Sequence, residues 1–279
     1  LVAGAGGFIG GHLASTLADR GFDVRGADIK PLSDWNQRPN GVDARQLDLS
    51  RIEDAREAVD GVGTVYMLAA DMGGMGFIET HKAECMLSVL ISTHMLLAAR
   101  DANVSRYFYS SSACVYAADK QTEANVTALK EEDAYPAMPE GGYGGEKLFS
   151  ERMCRHFRED YGIETRVARY HNVYGPEGSF EGGREKAPAA LCRKVAEAVL
   201  SGRHEIQIWG DGEQTRSFMY VDDCVEGTLR VTAGDSPAPV NVGSSELVTI
   251  NQMVDAIEQI AGITVQRHYK LDAPLGVRG

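Results

Sequence analysis

The chain of 279 residues is poor in the features that mark several protein classes. It has only five cysteines, Cys85, Cys114, Cys154, Cys192 and Cys224. None forms a CxxC pair or stands at zinc-ligand spacing from histidine, and the count is odd. This argues against a disulfide scaffold or a zinc module and favours a reducing, cytoplasmic setting. No apolar run reaches the ~20 residues that a membrane span requires. The longest, "CMLSVLISTHMLLAA" at 85–99, is interrupted by Ser88, Ser92, Thr93 and His94, and is expected to be a buried helix rather than a membrane segment. Basic residues are few, 28 against 40 acidic, for a net charge of −12. A nucleic-acid binder would carry the opposite balance. A local cluster can still oppose the global sign, and the lysines and arginines between 184 and 216 are the candidates to meet a small anion. Signal-peptide pattern, internal repeat and low-complexity tract are all missing. The chain opens without Met, inside a predicted strand, so a few residues are expected to precede Leu1.

What is present reads as an α/β protein. "LVAGAGGFIGGHLASTLADRG" gives strand, glycine turn and a helix with Leu13 and Leu17 four apart. Strands follow at "FDVRGAD" and "ARQLDL", then a helix at "RIEDAREAVDG". "VGTVYMLAA" is continuously apolar, as a strand buried on both faces should be. A long helix over 81–101, a strand at "SRYFYSSS", a helix over 143–160 and a strand at "IETRVARY" complete the rhythm. Alternation of this kind predicts a doubly wound parallel sheet. After Asn172 the Gly- and Pro-rich "YGPEGSFEGGREKAPAA" breaks it. Residues 1–170 are therefore expected to form the first domain. Residues 171–279 are expected to form a smaller α/β substrate-binding lobe, with some segments returning to the first domain.

Gly4, Gly7 and Gly10, with Phe8 and Ile9 between them, link the first strand to the first helix. Glycines here let the chain turn tightly, let backbone approach a pyrophosphate and let the helix pack on the strand, with its N-terminus facing the phosphates. A plain tight turn would also account for them. Asp28 ends the second strand and is suited to the ribose hydroxyls of adenosine, where its charge would repel a 2′-phosphate. The cofactor expected is NAD. Asp48, Leu49 and Ala69, at later strand ends, are its expected further neighbours.

"YGGEK" places Tyr143 and Lys147 on one helix face. A tyrosine with its ordinary pKa of about 10 needs a nearby cation to act as a base near neutrality, and Lys147 would provide it. An exposed helix face is the plainer reading of that motif alone; with Ser112 upstream and the glycine turn it becomes a redox site. Together these motifs resemble the extended short-chain dehydrogenase/reductase family, the Rossmann-like NAD-dependent nucleotide-sugar epimerases and dehydratases. The stretches "LAADMGGMGFI", "SSACVY", "HNVYGP", "GGREKAPAA", "WGDGEQTRSF" and "GVRG" resemble its members that epimerise GDP-hexoses at carbons 3 and 5.

The resemblance implies that Tyr143 is the redox acid/base, with Lys147 as its partner and Ser112 orienting the reacting oxygen. Cys114 and Lys186 are implied to move protons at the sugar carbons, which of them is base being left open. Gly73, Ala113, Asn172, Glu185, Ala187, Lys194, Gln214, Thr215, Arg216 and Arg278 are the implied contacts to the GDP-sugar. Relatives continue beyond the position of Gly279. No metal is implied, and a homodimer through helices 81–101 and 143–160 is expected. Two further expectations come from the residues. Ser112 and Cys114 would share one side of an extended segment, both pointing into the site. Gly73 and Gly74 would allow substrate to approach closely. A 4-epimerase or 4,6-dehydratase is the nearest rival, and a non-catalytic NAD sensor the more distant one. Ala113 cannot protonate a leaving hydroxyl, and a simple 4-epimerase would have no task for Cys114 and Lys186.

Overall fold

The computed structural model describes residues 1–35, 37–122, 128–139 and 141–273. In chain order, β1 (Val2–Ala3), α1 (Phe8–Asp19), β2 (Arg25–Asp28), β3 (Asp43–Gln46), α2 (Ile52–Val59) and β4 (Thr64–Met67) open the molecule. They are followed by α3 (Met75–Thr80), α4 (Lys82–Asp101), β5 (Arg106–Ser112), α5 (Gly141–Tyr161) and β6 (Glu164–Tyr170). The remainder holds β7 (Asn172–Tyr174), α6 (Ala187–Ser201), β8 (Glu205–Trp209), β9 (Thr215–Arg216), β10 (Phe218–Tyr220) and α7 (Val221–Ala233). It ends with β11 (Val240–Val242), β12 (Val248–Thr249), α8 (Ile250–Ala261) and β13 (Gln266–Lys270).

Seven parallel strands form the central sheet in the order β11-β6-β5-β4-β1-β2-β3. The expected doubly wound sheet is thus present, and its order reverses between β1 and β4. Open sheets of this class bind ligands outside the strand ends at such a reversal. On one face α2, α4 and α5 bury Ala55, Ala58, Val59, Met95, Leu96 and Cys154. On the other, α1 and α7 bury Leu13, Leu17, Val221, Cys224 and Val225. By length and composition α4, with 20 residues, could cross a membrane. The expected interruption of its apolar run does not shorten it, because Ser88 and Ser92 are buried and hydrogen-bond Asp71 and Glu146.

The chain beyond residue 170 divides its allegiance. Helices α6 and α8 and the parallel pair β8–β13 enclose a separate core of Leu191, Val195, Ile206, Ile208, Val254 and Val265. Helix α7 and strand β11 instead return to the central sheet, β11 pairing with β6 at its edge. One buried ion pair ties these regions together. Arg169 on β6 grips Glu151 on α5 with two bonds of 2.9 and 2.8 Å, and also donates to the carbonyl of Glu131. Ser111 donates to the same carboxylate, and Tyr116, which accepts from Arg169, donates to Asn241 on β11. Removing one partner strands a charge in a dry interior. Arg169→Met is expected to lower the unfolding free energy by about 3–5 kcal/mol in urea titrations. Arg169→Met with Glu151→Leu should regain most of that loss.

Candidate active site

A cleft of about 2250 Å³ runs from the glycine turn across the sheet reversal to the second lobe. At one end α1 starts with no side chain capping it, so its first-turn N–H groups are left to the cleft. The helix can stand there because Gly10 lies directly against the turn; a Cβ on it would come 2.1 Å from the Gly4 carbonyl oxygen. Asp28 is fixed by both oxygens, which accept from the N–H groups of Gly6 and Lys30 at 3.0 Å. Each oxygen keeps lone pairs for further donors. The Lys30 ammonium donates to the Gly6 carbonyl at 3.0 Å. Behind the turn, the Trp35 ring fills the space that a side chain at Gly6 would need. Phe8, Ile9, Asp48, Leu49 and Ala69 line the same end.

In the middle of the cleft the Tyr143 and Lys147 side chains are buried. Lys147 is buried, donates to the Ser110 carbonyl at 3.1 Å, and lies 5.6 Å from the centre of the Tyr143 ring. Burial pushes the Lys147 ammonium below its usual range. Burial likewise drives the Tyr143 phenol far above its usual value, reinforced by the neighbouring Cys114 and Glu146 and opposed by its hydrogen bond with Ser112. A cation is therefore needed before this tyrosine can give up its proton, and Lys147 is the built-in one.

The expected extended segment at 112–114 is not found. Strand β5 stops at Ser112, whose hydroxyl accepts from the Cys114 N–H at 3.2 Å, and residues 113–115 form a tight 3₁₀ turn. Ser and Thr side chains divert backbone donors in this way. The turn nests on α5 at Gly144, where a Cβ would come 2.1 Å from the Cys114 carbonyl oxygen. This accounts for part of the glycine richness of "GGYGGEK". Cys114 still reaches the site: it packs with the Phe77, Cys85 and Tyr143 cluster, near enough to Lys186 that a thiolate there would favour the ammonium.

Lys186 precedes α6 as its N-cap residue, and burial holds its ammonium below the usual lysine range. Its backbone is set by an interlock with the 71–77 loop. The Gly74 N–H donates to the Arg184 carbonyl at 3.0 Å, and a Cβ on Gly74 would stand 2.3 Å from the Glu185 carbonyl oxygen. The room that Gly74 leaves is thus occupied by the segment bearing Lys186, not held open for substrate. Arg184 adds a 2.5 Å bond to Asp71 and lies 3.9 Å from the centre of the Phe77 ring.

The structure brings Ser112, Ala113, Cys114, Tyr143, Lys147, Gly73, Asn172, Glu185, Lys186, Ala187, Lys194, Gln214 and Arg216 to this one cleft. Lys194 donates to the Gln207 carbonyl, and burial lowers its pKa. Glu185 and Gln214 each keep one buried oxygen without a partner among the described residues. Thr215 does not line the cleft; it pairs with β12 through β9. Arg278 lies outside the described residues. Sequence reasoning missed His171, which lines the cleft and bonds Ser217 at 2.5 Å. It also missed Trp35 and Glu146. A lone histidine within "HNVYGP" carried no spacing signal, and the other two act only through contacts distant in sequence.

A family model described as the NAD dependent epimerase/dehydratase family matches residues 1–243. The chain belongs to that family. It is 45% identical over 279 residues to GDP-mannose 3,5-epimerase 1 of Oryza sativa subsp. japonica, a match covering all of this chain and 72% of that protein. Identity to the GDP-mannose 3,5-epimerase of Arabidopsis thaliana is 43%, covering all of this chain and 73% of the other. Among solved structures, a UDP-glucose 4-epimerase with UDP-glucose from Thermotoga maritima has a TM-score of 0.85. That likeness covers 99% of this chain and 86% of the other at 25% identity.

The residues present fit the cofactor of such a family. The uncapped N-terminus of α1 suits a pyrophosphate, and the anchored Asp28 carboxylate suits ribose hydroxyls. NAD is expected to bind far more tightly than NADP in a calorimetric titration. Asp28→Ala should narrow the gap, because it removes the repelling charge and leaves Lys30 able to meet a 2′-phosphate.

Proposed function

We propose that the protein epimerises a GDP-hexose at carbons 3 and 5 through a 4-keto intermediate, most specifically GDP-mannose to GDP-L-galactose. The observation that carries this reading is the meeting of Cys114 and Lys186 beside Tyr143. The identity to GDP-mannose 3,5-epimerases supports it. A C–H bond in a sugar ring is not acidic until a neighbouring carbon is a ketone. Bound NAD supplies the hydride chemistry at carbon 4. Tyr143, as the phenolate that Lys147 stabilises, takes the hydroxyl proton there and becomes neutral, and Ser112 holds the reacting oxygen. Inversion then calls for a base and a proton donor besides Tyr143, the tasks assigned to Cys114 and Lys186. Lys186, half-buried and held by desolvation below the ordinary lysine range, is suited to exchanging a proton. Lys194 and Arg216 supply positive charge for the diphosphate within an otherwise acidic chain.

Incubation with GDP-mannose in deuterated water, followed by NMR of the product, tests the reading. Deuterium is expected at carbons 3 and 5. Cys114→Ala should keep NAD and substrate binding but lose ~100- to 10,000-fold in exchange and net epimerisation. Lys186→Ala should behave alike, with added loss of affinity, and Tyr143→Phe should stop every step. Near-normal exchange in Cys114→Ala would return the thiol to a packing role.

A homodimer fits the same architecture. Met86, Leu87 and Leu90 on α4 and Phe149 on α5 are exposed on two helices packed side by side. Apolar clusters of this kind mark contact surfaces, and two copies would close a four-helix bundle over them. Light scattering should give a dimer at micromolar concentration, and Leu87→Glu should shift it to monomer.

A further inference from the structure

Glu146 has no task in the chemistry above, yet it is only 3% exposed. Its oxygens are treated very differently. Oε1 accepts three hydroxyls from three elements: Ser92 on α4 at 3.2 Å, Tyr109 on β5 at 3.2 Å and Ser150 on α5 at 2.8 Å. Oε2 is buried without a hydrogen-bond partner among the described residues and lies 4.0 Å from the Lys147 ammonium. Three donors on one oxygen fix the side chain and leave its other oxygen facing the lysine. Buried ion pairs seldom stabilise a fold better than apolar residues of the same size, so packing alone does not account for this one.

The groups acting on Lys147 can be enumerated. On its own helix α5 are Tyr143, Glu146, Glu151 and Cys154; from β5 comes the Tyr109 ring, at 4.9 Å; from the following turn comes Cys114. Glu151 is already matched by Arg169 and Ser111. Glu146 is the carboxylate left to balance the ammonium. We propose that Glu146 is the fixed counter-ion of Lys147, a positioning residue that keeps the lysine charged in a dry site. In doing so it sets the pH range in which the Tyr143–Lys147 pair works.

The inference rests on reading Tyr143 and Lys147 as the redox pair, and the sign of the effect follows from charge. A negative group beside Lys147 favours its ammonium; the same group near Tyr143 disfavours the phenolate. Neutralising Glu146 lowers both pKa values. Hydride transfer needs Tyr143 able to release its proton at the low-pH limb and Lys147 charged at the high-pH limb. Both limbs should therefore move the same way, to lower pH. A residue needed only for packing would reduce the amplitude and leave the limbs in place.

The test compares the wild-type holoenzyme with Glu146→Gln and Glu146→Asp, following NADH absorbance after mixing with GDP-mannose across a pH series. Glu146→Gln is expected to shift both limbs down by roughly one pH unit or more. Glu146→Asp, which keeps the charge, should lower amplitude without that shift. Limbs that stay in place in Glu146→Gln overturn the proposal. A second measurement does not depend on activity: thermal unfolding of wild type, Glu146→Gln, Lys147→Met and the double variant at several pH values. With its counter-ion gone, the native lysine, already below the unfolded one through burial, holds its proton less tightly still. The Glu146→Gln deficit should accordingly be largest near neutral pH and narrow as pH rises toward the ordinary lysine range. The double variant should regain most of it. Additive losses in that cycle overturn the proposal. A wild type that takes up no solvent deuterium into GDP-mannose at any pH defeats the epimerase reading instead, and the unfolding cycle alone then decides the role of Glu146.

Discussion

A lysine ammonium taken out of water is the constraint around which this cleft is organised. Lys147 sits against β5, between two tyrosine rings and a backbone carbonyl. Desolvation works against its charge, while the phenol beside it can ionise only if that charge is kept. The sheet supplies the dry floor, α5 carries both members of the pair on one face, and hydroxyls from neighbouring elements settle the remaining polarity. Strand β5 ends where it does because Ser112 must face the phenol while its oxygen also turns the chain at Cys114.

The rest of the site is assembled by backbone packed against backbone. The 113–115 turn meets α5 at Gly144, and the 71–77 loop meets the 184–186 segment at Gly74. A methyl group at either place would move a reacting side chain without touching it. Cys114 and Lys186 arrive from distant parts of the chain, so their convergence depends on these approaches more than on their own contacts. Chemistry that depends on positioned acids and bases is sensitive to such displacements.

Legibility in the sequence followed the range of the interactions. The strand–helix rhythm, the glycine turn, Asp28 and the Tyr143–Lys147 face are set by neighbours within a turn or two, and the structure has them where the pattern puts them. The helix expected over 81–101 begins one residue later and is preceded by a separate short helix, because His81 leaves helical geometry between them. Terms that need a tertiary partner were not legible. Periodicity cannot reveal that Ser112 bends the chain, that Gly74 yields room to the Glu185 carbonyl, or that Thr215 is tied into the β9–β12 pair. Nor could it disclose that the buried Glu146 gathers hydroxyls from α4 and β5.

The return of α7 and β11 to the first sheet bears on how the molecule can be divided. A fragment cut at residue 170 would leave β6 with a bare edge and α1 without the helix that covers its apolar side. Unpaired parallel edges and uncovered helix faces invite self-association. The complementary piece would hold the α6–α8 core together with a helix and a strand deprived of their sheet. Neither piece is an autonomous module. Separating the lobes without orphaning a sheet partner would mean interrupting the chain three times: before α6, between β8 and α7, and between β11 and α8.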